Sequence, residues 1–395
     1  MINSVRLKRK EDQRIRDGHL WVFSNEIQEI TGNPEGGSTI DVLDAGGRYL
    51  GSGIYNPKSL IAVRLFSFDE STRGTVALCK QLFLDRFAAA DHLRSQLFPG
   101  ATAYRLIHGE ADLLPGLIID RYNEYFSVQT VSLGMDAHLQ DIADALEELF
   151  QPKGIVERND SSLRELEGLE QRSGIVRGTV SPVVIEEDGI RYNVNILEGQ
   201  KTGFFLDQRV NRSVIEDFSS GKSVLDCFCN DGGFALHAAR AGASAITAVD
   251  VSRPALARAE ANAKLNECPT PIDWVEGDVF QFLEESVASG AQYDLVILDP
   301  PSFTRSRKNV PAAKQGYRQL HAKAFSLLNR GGILATASCS HHIFEDTFLE
   351  TIQTGAQSAG KRIAMLDWRG ASPDHPVLPA MPETRYLKFG VFCVL

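Results

Sequence analysis

The sequence predicts an α/β protein: a doubly wound sheet-and-helix domain in the C-terminal half, preceded by a β-rich module and an α+β module. Three observations carry this. From about residue 186 strand-like and helix-like runs alternate. Residues 1–73 hold only short strand runs broken by turn residues. Residues 74–185 mix the two patterns.

In residues 1–73, Ile40-Asp41-Val42-Leu43 and Leu60-Ile61-Ala62-Val63-Arg64-Leu65 are strand-like. They are punctuated by Thr31-Gly32-Asn33-Pro34, Asp44-Ala45-Gly46-Gly47 and Tyr55-Asn56-Pro57. Such spacing predicts a small β-barrel-like module. In residues 74–185, a helix over 76–97 leads to strands at 116–120 and 125–130. Leu139, Ile142, Leu146, Leu149 and Phe150 at helical spacing predict a helix over 136–150. A strand begins at Gly154, and Ser181-Pro182 marks a boundary. In residues 186–395, strands are expected at 223–228, 245–250, 272–275, 293–299 and 333–338. Helices are expected at 234–241, 254–266, 279–288 and 312–329. This alternation predicts a parallel sheet with helices on both faces. It breaks at the end, where 385–395 is β-rich after a Pro-rich stretch.

The composition is that of an ordinary globular chain, with 43% hydrophobic and 23% charged residues. No apolar run approaches the ~20 residues of a membrane span, and charged residues run through Arg16 with no signal-peptide core behind them. Six cysteines are too few for a disulfide scaffold. A cytoplasmic location with reduced thiols follows as the expectation, with no membrane partner. The net charge of −10 favours a small-molecule enzyme over a nucleic-acid binder, but local charge decides what a surface attracts. Residues 301–330 contain no acid and seven bases, including Arg305, Arg307 and Lys308. A second basic cluster opens the chain. A polyanion partner therefore stays open beside a plain solvated surface.

Ligands of doubly wound sheets bind beyond the carboxyl ends of the strands. The first such end is Asp226-Cys227-Phe228-Cys229-Asn230-Asp231-Gly232-Gly233. It lacks the G-x-G-x-x-G dinucleotide fingerprint. A carboxylate at Asp226 suits an amino or sulfonium group better than a pyrophosphate. The second end carries Asp250-Val251, with Asp250 placed to accept bonds from ribose hydroxyls. The third carries Asp278-Val279-Phe280, an acid and an apolar pair suited to adenine. Each acid alone is commonly just a helix cap. Three at successive strand ends favour S-adenosylmethionine over NAD.

The fourth end is Asp299-Pro300-Pro301-Ser302-Phe303, a turn stiffened by two prolines, with Phe303 able to stack on a base. The fifth is Ser338-Cys339-Ser340-His341-His342. Cys339 should emerge beside Asp299. The adjacent histidines point apart, and no Cys/His spacing matches a zinc site, so no metal is expected. A thiolate adding to C6 of cytosine turns C5 into a nucleophile toward a methyl sulfonium. Cys339 as nucleophile and Asp299 at N3 fit that chemistry. No residue is apparent for the base that removes the C5 proton.

These residues resemble the bacterial 23S ribosomal RNA cytosine-5 methyltransferases of the single-cysteine, large-subunit type. The likeness spans the chain. Gly18-His19-Leu20-Trp21-Val22-Phe23-Ser24-Asn25-Glu26-Ile27 and Gly53-Ile54-Tyr55-Asn56-Pro57 resemble that family's PUA domain, and the segment 105–116 resembles its middle domain. Lys201-Thr202-Gly203-Phe204-Phe205-Leu206-Asp207-Gln208-Arg209 resembles the motif that closes over the methionine end of the cofactor. The resemblance implies a PUA-like RNA-binding domain (1–73), an α+β middle domain (74–185) and a class I, Rossmann-like methyltransferase domain (186–395).

It also implies S-adenosyl-L-methionine as cofactor and large-subunit ribosomal RNA as partner. Cys339 and Asp299 become the catalytic pair. The cofactor site would comprise Lys201, Thr202, Phe204, Gln208, Asp226, Asn230, Gly232, Asp250, Val251, Asp278, Val279 and Asp299. The RNA side would comprise Pro300, Pro301, Ser302, Phe303, Arg305, Arg307 and Lys308. Ser302 stands where many RNA cytosine-5 methyltransferases carry a second cysteine. Asn230-Asp231 stands where the family often has Tyr-Thr. An RNA methyltransferase of another base position and a noncatalytic ribosome-assembly factor are the alternatives, with a NAD-dependent oxidoreductase more distant. A homodimer is left open.

Overall fold

The computed structural model describes residues 3–199, 202–304 and 306–395, which form two compact units. The first comprises 1–185, 194–206 and 373–384. The second comprises 186–193, 207–372 and 385–395.

The first unit contains two sheets. Strands β1 (Ser4–Leu7), β2 (Trp21–Phe23), β3 (Ile27–Thr31), β4 (Thr39–Leu43), β5 (Tyr49–Tyr55) and β6 (Ile61–Ser67) form a six-stranded sheet, with the one-turn helix α1 (Gln13–Arg16) after β1. Its strand order is β2-β6-β5-β4-β1-β3. Val5, Val22, Ile40, Val42, Val63 and Leu65 fill its core, as inward-facing residues of half-buried strands should. Helix α2 (Lys80–Leu97) then leads to β7 (Ala103–His108), β8 (Leu117–Tyr122), β9 (Tyr125–Thr130), β10 (Gly154–Asn159) and β11 (Arg172–Gly178). These make a five-stranded sheet in the order β11-β10-β9-β8-β7. The helix expected over 136–150 is two helices, α3 (Leu133–Ala137) and α4 (Leu139–Phe150). Ile142, Ala143, Leu146 and α2 residues Phe83 and Phe87 join one apolar core.

A hairpin of β12 (Val183–Glu187) and β13 (Ile190–Val194) marks the division between the units.

The second unit is the alternation expected from sequence. Its elements are α5 (Arg209–Val214), β14 (Ser223–Cys227), α6 (Gly233–Arg240), β15 (Ala245–Asp250), α7 (Arg253–Leu265), β16 (Ile272–Glu276), α8 (Val279–Ser289), β17 (Tyr293–Leu298), α9 (Val310–Ser326), β18 (Leu328–Ser338), α10 (Glu345–Ser358), β19 (Ile363–Arg369) and β20 (Lys388–Val394). The seven strands lie in the order β16-β15-β14-β17-β18-β20-β19. The first five are parallel. The break in the alternation expected at 385–395 is β20, which runs antiparallel to both β18 and β19. The chain leaves β18 through α10, forms the edge strand β19, and returns to fill the gap with β20.

Alternate residues of each central strand face opposite cores. Leu225 and Cys227 pack with α8, α9 and α10, whereas Val224 packs with α6 and α7. The strands are thus buried on both faces, which leaves their carboxyl ends as the place for a ligand. Among the described residues no helix is long and apolar enough to cross a membrane.

Candidate active site

The end of β14 is built around Asp226, which has no exposed surface. Its Oδ2 accepts the Ala235 amide hydrogen at 3.0 Å, at the first turn of α6. Its Oδ1 is buried with no hydrogen-bond partner among the described residues. Burial pushes its carboxyl well above the usual carboxylate range, and the charges of Asp299 and Asp250 push the same way. A buried carboxyl with an orphaned oxygen and no cation beside it is costly unless a ligand supplies the partner.

The turn after β14 is strained. Phe228 (φ 62°) and Asn230 (φ 46°) are both in the left-handed region, which non-glycine residues enter at a cost. Asp250 braces it from the end of β15. One carboxylate oxygen accepts the Asn230 amide at 3.0 Å and the other accepts the Ser252 amide at 2.8 Å. Gly232 (φ 80°) then brings the backbone against Trp274, where a Cβ would sit 2.9 Å from the ring. Only glycine fits there. Val251 stands 72% exposed at the end of β15, an apolar wall beside the acids.

Two expected cofactor contacts carry structural duties as well. Asp278 caps α8, its Oδ1 accepting the Gln281 amide at 3.0 Å. Val279 is buried in the core. The string 201–209 is divided between the units. Thr202 and Phe204 are buried in the first, where the Thr202 hydroxyl donates to Asp120 and the Phe204 amide donates to the Tyr122 hydroxyl at 3.0 Å. Gln208 is buried in the second and accepts a bond from Asn211 at 2.7 Å. Lys201 and Arg305 lie outside the described residues.

The ends of β17 and β18 are neighbours, with Leu298 in register with Thr336. Asp299 and Cys339 follow these ends, both partly exposed. The charge of each acts on the buried Tyr317 hydroxyl, which burial pushes up to about 12. That hydroxyl donates to Ser338 Oγ at 2.9 Å and lies 3.2 Å from Ser340 Oγ. Ser340 Oγ also accepts the Phe303 amide hydrogen at 3.1 Å. Tyr317 therefore braces both flanks of Cys339. Pro300 is buried, while Pro301 and Ser302 are exposed. The Phe303 ring is half-buried and packs on Tyr317, centroids 4.5 Å apart.

Among the remaining cysteines, Cys227 and Cys229 are buried. Burial pushes both thiols far up, as expected of inert core cysteines. Among the described residues no group of His, Cys, Asp and Glu could hold a metal.

The acid-free run 301–330 is less basic in space than in sequence. Lys314 and Arg318 pair with Glu350 at 2.7 and 2.5 Å, and Lys323 pairs with Glu284 at 2.9 Å. Arg307, Lys308 and Arg330 of the run are exposed.

Sequence reading missed Tyr317 and Lys388. Lys388 opens β20, is 2% exposed, and donates through Nζ to the Ser340 carbonyl at 2.9 Å and the Tyr386 carbonyl at 2.8 Å. The signal was available: a lysine beginning the apolar run 389–395 is out of place unless its charge has a use.

The chain matches the family model of a PUA-like domain over residues 5–68 and that of an S-adenosylmethionine-dependent methyltransferase over 170–379. It is 39% identical to the ribosomal RNA large subunit methyltransferase I of Photobacterium profundum over 394 residues, 98% of each chain. It is 38% identical to that of Vibrio vulnificus, again over 98% of each. Among solved structures it resembles a proposed SAM-dependent methyltransferase from Streptococcus mutans, with TM-score 0.83, 23% identity and full coverage of both chains. A proposed methyltransferase solved with S-adenosylhomocysteine gives TM-score 0.84 at 23% identity, also over both full chains. The two structural likenesses speak to fold alone, and none of these matches bears on the homodimer left open by the sequence.

Proposed function

The chain belongs to the S-adenosylmethionine-dependent ribosomal RNA large subunit methyltransferase I family, and from that premise we propose that it methylates C5 of a cytosine in 23S ribosomal RNA through a covalent Cys339 adduct. The observation that carries the reading is the meeting of the Asp299 and Cys339 turns at adjacent strand ends, braced together by Ser340 and Tyr317. An amine or ring-nitrogen target would need no cysteine there.

The cofactor fits the residues of the second unit. The orphaned oxygen of Asp226 suits the amino group of its methionine part, and Asp250 retains lone pairs for ribose hydroxyls. Gly232 lets the turn pack closely against Trp274, and Asn230, Gly232, Val251, Asp278 and Val279 are assigned to the cofactor by their places at the strand ends. Gln208, also in the second unit, is assigned to its methionine end by motif. Bound there, S-adenosylmethionine supplies a methyl group activated by a sulfonium.

The residues of the chain do the rest. The Cys339 thiolate forms a bond to C6 of the cytosine, and the C5–C6 π electrons move toward N3. Asp299 donates a proton at N3, which leaves C5 as an enamine carbon able to take the methyl. Loss of the C5 proton to a base then restores the C5–C6 double bond and expels the thiolate, and the N3 proton returns to the Asp299 carboxylate. Pro300 and Pro301 hold Asp299 in one geometry, and Ser302 and Phe303 flank the base. Arg305, Arg307 and Lys308 contact the RNA backbone, in a cytoplasmic enzyme whose 1–73 domain adds RNA contacts.

The test is in vitro methylation of a 23S ribosomal RNA transcript, followed by nucleoside mass spectrometry. The reading expects 5-methylcytidine. A methylated product at any other atom, or no product, overturns it.

A further inference from the structure

We propose that Lys388 is a positioning residue that holds Cys339 as the thiolate, an inference that rests on Cys339 being the nucleophile. The antiparallel strand β20 lies directly against β18, with Lys388 in register with Ser338. Its side chain is 2% exposed and reaches past Ser338, so that Nζ bonds the Ser340 carbonyl immediately after Cys339. Two of its three N–H bonds go to backbone carbonyls, of Ser340 and Tyr386. Among the described residues no carboxylate lies within ion-pairing distance. A buried ammonium without a carboxylate partner is unusual. Burial draws the lysine down to about 8, against the opposing pull of the Cys339 charge and, more weakly, that of Glu345. By reciprocity the ammonium favours the thiolate.

The other groups around this pair do not substitute for Lys388. Tyr317, from α9, stays a neutral hydrogen-bond donor to about pH 12. Glu345, at the start of α10, is an acid that opposes a second negative charge, as does Asp299, from the end of β17, whenever it has given up the proton it donates at N3. Arg385 pairs with Glu345 at 3.4 Å. His341 stacks on Tyr386 with centroids 5.6 Å apart, and the Tyr386 hydroxyl donates to Asp207 at 2.7 Å. Lys388 is therefore the buried cation that bonds the Ser-Cys-Ser turn itself.

The experiment reads thiol reactivity without RNA. The full-length protein is alkylated with iodoacetamide at about pH 7, and each cysteine is followed by peptide mass spectrometry. Lys388→Met should slow Cys339 about tenfold, the effect of roughly one unit in thiol acidity. Exposed Cys79 should be unchanged, and Lys388→Arg should restore most of the rate. An unchanged Cys339 rate in Lys388→Met overturns the proposal. If that variant fails to fold, the wild-type profile decides. The Cys339 rate should level off at lower pH than that of Cys79, and parallel profiles overturn the proposal. Failure of the cytosine-5 reading is distinguishable: RNA would then go unmethylated at C5 while the Lys388 effect on alkylation persisted.

Discussion

The hydroxyl oxygens of Ser302 and Ser340 lie 3.2 Å apart, which joins the proline-stiffened turn after β17 to the Ser-Cys-Ser turn after β18. Ser340 Oγ also takes the Phe303 amide hydrogen and neighbours the Tyr317 hydroxyl. The turns that carry Asp299 and Cys339 thus belong to one hydrogen-bonded frame, and displacing either turn should disturb both residues.

Tyr317→Phe removes the donor to Ser338 while keeping the ring that packs on Phe303. It should destabilise the fold by about 1 kcal/mol. It should slow methyl transfer and leave S-adenosylmethionine affinity unchanged, a separation that calorimetry and single-turnover rates would check. A parallel fall in affinity would mean the frame also supports the cofactor.

Asp226 gives a pH signature. Folding raises its pKa, so the native protein holds a proton that the unfolded chain gives up once pH exceeds the usual carboxylate range. Its contribution to stability therefore falls as pH rises from that range through the folded pKa. Asp226→Asn should flatten this part of the profile in urea denaturation. A cationic ligand favours the carboxylate, so cofactor binding should release a proton and tighten as pH rises. Calorimetry in buffers of different ionisation enthalpy measures that release, and Asp226→Asn should abolish it.

Asp250→Ala should weaken S-adenosylmethionine binding by about 1.5–3 kcal/mol, the worth of lost charge-assisted hydrogen bonds. It also strips two backbone amides, of Asn230 and Ser252, of their acceptor. Thermal unfolding should therefore show a lower midpoint even without ligand. Full affinity in this variant would remove Asp250 from the cofactor site.

Replacing Arg307 and Lys308 together by Ala should weaken RNA binding and reduce the magnitude of the salt slope by about 1–2, as phosphate contacts are lost. Replacing Lys314 and Arg318 should change it less, because Glu350 already neutralises them. Equal effects from the two pairs would contradict the charge map.

The strand–helix alternation, the acids at strand ends and the neighbouring turns that carry Asp299 and Cys339 were legible because each is local. Asp226, Asp250 and Asp299 end apolar runs, and such runs keep their register in a sheet buried on both faces. What escaped is long-range. Helix α10 buries Phe348, Thr351, Ile352, Gly355 and Ala356 on one face, but its mixed composition hid that stripe. The insertion of β20 between β18 and β19 has no local cue, so Lys388 could not be placed beside Cys339. The ion pairs of the basic run escaped for the same reason: Glu284 and Glu350 reach it from other helices. Asp278 reads equally well as ligand and as cap, and the cap bond is present.

The most direct test of the account is covalent trapping. RNA carrying 5-fluorocytosine cannot lose the C5 substituent, so the adduct should persist on the enzyme once the methyl has transferred. Incubated with S-adenosylmethionine, the wild-type protein should form an RNA-linked species whose cross-link maps to Cys339. Cys339→Ala should form none, lose turnover, and bind the cofactor almost as tightly as before. Methylation of unmodified RNA by Cys339→Ala at a substantial rate would contradict the adduct mechanism.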